Sequence, residues 1–178
     1  MSTQKNWVID PAHSVVAFKV KHLMISSVNG SFTMYKASAK TQEFNFATAL
    51  VNFVLYPKSV DTGSEDRDKH LRSADFFDVE KFPEITFNSD KVEKVDDDTF
   101  VMTGGLTIKG ITKKVSLDVE FGGIMTDPWG NRKAGFSVNG KINRKDFGLN
   151  WNTALETGGV LVGEEVKINA EVQFVLQA

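Results

Sequence analysis

The densest chemistry in this sequence lies between Asp61 and Pro83, DTGSEDRDKHLRSADFFDVEKFP. Asp66, Arg67, Asp68 and His70 crowd together there. They could offer acid, base and charge-stabilising groups to a small amphipathic substrate, and an enzyme built on them is one reading of the chain. A second reading is local: Asp66–His70 and Asp68–Arg72 stand four apart on a helix and can pair with one another. The other histidines give catalysis little support. His13 adjoins Ser14, but strand neighbours point to opposite faces, so the two form no nucleophile–base pair. His22 follows Phe18 and Val20 on an apolar face, where its ring could meet a ligand's polar head. No His-Glu-x-x-His, no two-histidine-plus-carboxylate spacing and no cysteine supports a metal. Gly104-Gly105 and Gly158-Gly159 lack the strand–helix setting of a nucleotide site. Neither metal nor cofactor is expected.

The elements that carry these groups are mostly strands. Thr62 and Glu65 have capping-box spacing and predict a helix start; Leu71 gives that helix an apolar face. Ser73 can restart a turn bearing Phe76 and Phe77, and Pro83 ends the insert, which spans roughly residues 62–80. Elsewhere the pattern has period two. Val16, Phe18 and Val20 share a face. Asn29-Gly30 reads as a turn, after which Phe32 and Met34 resume the alternation. Val51, Phe53 and Leu55 follow, then Ile85 and Phe87, and then Phe100, Met102, Leu106 and Ile108. Val115 to Phe121, Ala134 to Ile142 and Val166 to Leu176 complete the set. Asp96–Asp98 is a solvated hairpin tip, Asp127-Pro128-Trp129-Gly130 a tight turn, and Asn150 to Gly159 a loop.

About eight amphipathic antiparallel strands must bury one face, and closing the sheet removes its edges. The expected fold is therefore all-β, an eight-stranded lipocalin-like barrel, with the helical insert capping one end. Its inward positions would be Phe18, Val20, Phe32, Phe53, Phe87, Met102, Leu106, Phe121, Phe136 and Val138, with Phe76 and Phe77 as a plug. Leu50, Val54 and Tyr56 make the opposite face of one strand partly apolar, and a homodimer could form there.

Composition narrows the function classes. With 178 residues the chain fits one domain, 1–178. A net charge of -2 and the absence of basic–aromatic clusters argue against nucleic acid. No apolar run reaches the length of a membrane-spanning helix. The N-terminus shows no signal-peptide pattern, so a cytoplasmic location is expected, or a periplasmic one if a leader had been removed. Fourteen Phe against three Trp and two Tyr supply apolar area without polar handles, as a dry cavity for an apolar ligand requires. Arg67, Arg72 and His22 are the candidates to meet a phosphate or hydroxyl head.

Several segments, taken in order, carry a resemblance. They are W-V-I-D-P-A-H-S (Trp7–Ser14), F-K-V-K-H (Phe18–His22), G-S-F (Gly30–Phe32) and R-D-K-H-L-R-S-A-D-F-F-D (Arg67–Asp78). They continue with F-P-E-I-T-F (Phe82–Phe87), G-G-L-T-I-K-G-I-T-K (Gly104–Lys113), D-P-W-G-N-R (Asp127–Arg132), I-N-R-K-D-F-G (Ile142–Gly148) and V-G-E-E-V-K-I (Val162–Ile168). Over nearly its full length the chain resembles the YceI-like family of polyisoprenoid-binding proteins. The resemblance implies a lipocalin-like barrel holding a long apolar isoprenoid-type lipid, and no catalytic role. Many members of that family are exported to the periplasm.

Overall fold

The computed structural model describes residues 3–153 and 161–178; Gly158-Gly159 and most of the loop expected over 150–159 lie outside them. Eleven strands are found among the described residues: β1 (Gln4–Ile9), β2 (Val15–His22), β3 (Ser26–Phe32), β4 (Tyr35–Gln42), β5 (Asn45–Leu55), β6 (Val60–Asp61), β7 (Ile85–Lys94), β8 (Thr99–Ile108), β9 (Ile111–Thr126), β10 (Arg132–Asn143) and β11 (Val162–Leu176). One α-helix, α1 (Glu65–Arg72), lies between β6 and β7. Eight strands close a ring in the order β1-β4-β5-β7-β8-β9-β10-β11, all antiparallel, and β11 returns to β1. The barrel with one helix is thus the architecture of this chain.

The closure depends on a kink that the sequence encodes. β1 and β2 share a single edge of β11: Trp7, Val8 and Ile9 pair with Leu176, Val175 and Phe174, while β2 pairs further along, from Glu171 to Val162. Between them Asp10-Pro11-Ala12-His13-Ser14 must step the chain sideways. Pro11 has no N–H to give a ladder. Asp10 Oδ1 accepts from Ala12 N (3.1 Å), and Ser14 Oγ donates to Asp10 O (2.7 Å) and accepts Gln173 N (3.0 Å). Lys133 Nζ (2.9 Å) and His13 Nδ1 (2.7 Å) both reach Asp10 Oδ2 and hold its carboxyl below the ordinary carboxylate pKa.

Three local expectations are corrected. Asn29-Gly30 is no turn but lies within β3, pairing with Lys19 and Phe18. A Cβ on Gly30 would sit 2.3 Å from Phe18 Cζ, so the glycine serves a close approach to an aromatic ring. The turn falls instead at Leu23-Met24, with φ of 55° and 60°. Next, β4 is a full strand that the hydrophobic pattern hides. Its inward residues are Tyr35, Ala37, Ala39 and Thr41, and Ala39 is small where Trp7 and Phe46 fill the space beside it. Finally, the helix is capped not by Thr62 but by Ser64, whose side chain accepts Arg67 N. Thr62 instead gives its N–H (2.9 Å) and hydroxyl (2.6 Å) to Asp68, a buried carboxylate.

Candidate functional site

Alternation turns large apolar side chains from every ring strand toward the axis, and they do not fill the space. A cavity of about 610 Å³ runs through the barrel, within the roughly 300–1,000 Å³ of small-molecule sites. Its far end is sealed by Trp7, 1% exposed, whose Nε1–H donates to Thr41 Oγ1 at 3.1 Å. Phe46 and Phe136 cross edge-on beside them at 5.1 Å between ring centres. At the other end the wall changes character. Among the cavity-lining residues only Lys21, Asp66 and Arg67 are exposed, so the opening lies where β2 ends and α1 begins.

Phe18, Val20, Phe32, Phe53, Phe76, Phe77, Phe87, Met102, Leu106, Phe136 and Val138 all line the cavity. Phe121 does not. Although it pairs directly with Phe136, it packs against Phe46 (4.9 Å) and Phe136 (5.4 Å), in the aromatic cluster around Trp7. Phe18, Phe32 and Phe77 form a ladder of rings 5.3 and 5.8 Å apart along one wall. Phe76 is buried under the insert and packs on Trp151 at 5.3 Å.

The polar candidates divide. His22, half-buried, and Arg67 line the cavity near its opening; Arg72 does not, because its position on α1 turns it off the cavity side. Arg67 Nε and Nη2 donate to Thr62 Oγ1 and O, both at 2.7 Å, which holds the guanidinium across the rim. The Asp66–His70 pair expected from spacing does not form. His70 Nε2 meets Asp75 at 2.8 Å, and its ring packs edge-on against Phe76 and Trp151. Asp68 is bound to Thr62 rather than Arg72. Of the four-residue cluster, Asp66, Arg67 and His70 reach the cavity wall and Asp68 is structural. Leu50 is exposed on the outer side of β5, with Val54 and Tyr56 half-buried near it.

Two mouth residues escaped the sequence reading. Trp151 lies in the segment after β10, where no periodicity marks it. Arg144, 3% exposed, also lines the cavity, yet its hydrogen bonds all go to backbone carbonyls: Gly163 O (2.8 Å), Leu149 O, Trp151 O (2.9 Å) and Val162 O (3.4 Å). Burial lowers the guanidinium's pKa, and Glu164 partly offsets this. Backbone partners leave no charge pattern in a sequence, so nothing distinguished this arginine from a surface one.

The comparisons with known proteins agree with this geometry. The model of the YceI-like domain matches residues 7–174. A UPF0312 protein of Staphylococcus aureus (strain N315) is 41% identical over 170 residues, 95% of this chain and 96% of that protein. The solved structure of a Campylobacter jejuni YCEI protein is 37% identical, with a TM-score of 0.77 over 90% of this chain and 91% of its own. A polyisoprenoid binding domain from Saccharophagus degradans shares the fold at 14% identity, with a TM-score of 0.64 over 96% of this chain and 98% of its own.

Proposed function

Because the chain belongs to the YceI-like family, we propose that its barrel binds a long, polyisoprenoid-type lipid without performing chemistry on it. One observation carries the reading: a deep apolar cavity sealed at one end, with charge confined to the other. A prenyl chain burying on the order of 400 Å² of apolar surface would gain about 10 kcal/mol at ~25 cal/mol per Å². That gain is comparable with the association cost of ~4–15 kcal/mol, so binding needs several isoprene units and a narrow, preformed wall. His22 and Arg67 are placed to meet the head group at the rim, while Phe76 and Phe77 close over the chain. The polyisoprenoid-binding neighbour supports the ligand class. Against catalysis stands the use of the ionisable groups: Asp68 serves Thr62, His70 serves Asp75, and Arg67 is tied to Thr62. The test is organic extraction of purified protein followed by mass spectrometry, and titration with a fluorescent prenyl alcohol. Stoichiometric recovery of a long apolar lipid is expected. An empty protein that also refuses the prenyl alcohol would refute the reading.

A further inference from the structure

The β2–β3 turn places Leu23, Met24 and Ile25 in solvent, 37%, 59% and 83% exposed, beside the cavity opening. Leu23 N donates to Leu161 O at 2.8 Å, and His22 and Leu161 both line the cavity. Two features are unusual for a hairpin tip. Its central residues, Leu23 and Met24, both adopt positive φ, a conformation that favours Asn and Gly. Leu23 and Met24 therefore occupy positions where polar turn residues would fit with less strain, and Ile25 beside them is exposed as well.

The wall below the tip adds charge. Lys19, Lys167 and Lys141 are exposed and directly opposite one another across β2, β11 and β10. Like charges in that register repel, and none of the three is in an ion pair with a described residue. Lys21 continues the row toward the tip; Glu165, two residues before Lys167, is the acid on β11 nearest it in sequence. An apolar tip above a lysine row matches a bilayer surface with acidic head groups, the apolar residues entering the acyl boundary and the lysines meeting the anions.

We propose that the β2–β3 tip docks this protein on an anionic lipid bilayer, with the cavity opening facing the membrane. The proposal rests on the lipid-binding reading only for its purpose, the exchange of a lipid between bilayer and barrel; the docking itself is read separately.

Flotation with vesicles tests it, using phosphatidylcholine alone and phosphatidylcholine with a third phosphatidylglycerol. The wild type should float with the acidic vesicles and much less with the neutral ones, and 1 M salt should weaken the association. The Leu23→Asn/Met24→Gly/Ile25→Thr variant supplies the residues this turn prefers, so it should fold at least as well. It should lose binding on the order of tenfold or more. Lys141→Gln/Lys167→Gln should narrow the preference for acidic vesicles. Wild type that remains unbound, or a tip variant that floats equally well, would overturn the docking. So would a dimer that the tip variant abolishes in light scattering while vesicles are ignored. If the protein docks but yields no lipid on extraction, docking stands and the binding reading fails.

Discussion

The two ends of this barrel are built by opposite rules. At the sealed end polar groups are few and fully paired: Trp7 hydrogen-bonds Thr41, aromatic rings interlock around Phe46, and the Asp10–Lys133 clasp ties the β1–β2 kink to β10. At the open end a strained turn exposes Leu23, Met24 and Ile25, charged side chains rim the cavity, and the loop strand-ends hang on one buried arginine. The contrast teaches that one end holds the molecule together and the other is left free to exchange a ligand. Packing density and paired polar groups stabilise a fold, whereas sites that open are drawn from its less stable parts.

That contrast can be broken by substitution. Trp7→Ala removes the largest side chain of the sealed end and its hydrogen bond to Thr41; a loss of about 3–5 kcal/mol is expected in urea unfolding. A loss below about 1 kcal/mol would mean that this end does not carry the stability assigned to it. Asp10→Asn should cost about 1–2 kcal/mol at neutral pH by weakening charge-assisted bonds to Lys133 and His13. Its sign with pH is fixed. Because the folded-state pKa of Asp10 is depressed below 3.8, its stabilisation is present above that value and is lost as pH falls through the folded one. The difference between wild type and variant should therefore persist at pH 5–7 and shrink below about pH 4, as thermal unfolding at several pH values would reveal. At the rim the effect moves from stability to ligand handling. Arg67→Ala should change unfolding by no more than about 0.5 kcal/mol, since exposed contacts contribute little. It should nonetheless speed release of a fluorescent prenyl phosphate several-fold in stopped flow. Equal release rates would take Arg67 out of the binding rim.

Much of this was legible in the chain. Period-two alternation in Val115–Phe121 and Val166–Leu176 marks strands with one buried face whatever the surroundings, and alternation along the chain points to the barrel and to nine inward positions that line the cavity. Alternation assigns a face but not a depth: Phe121 pairs with the cavity-lining Phe136, yet it lies in the aromatic cluster at the sealed end. Small residues also hide a strand: Ala37 and Ala39 carry too little hydrophobicity to announce β4, and Ala39 is small because Trp7 packs beside it.

By itself, then, the sequence determined the strand periodicity, the helical insert and the family, because each rests on local stereochemistry or on an ordered set of motifs. Only the tertiary structure decided which residues cap and pair. Ser64 displaced Thr62, Asp75 displaced Asp66 as the partner of His70, and Arg144 found backbone carbonyls from two segments that are separate in sequence. Hydrogen bonds go to whichever donor or acceptor the fold brings within about 3 Å, and sequence spacing fixes that distance only within a turn. The Leu23-Met24 tip shows the same division: its apolar residues are plain in the chain, but their exposure beside an open cavity exists only once β2 and β3 are paired.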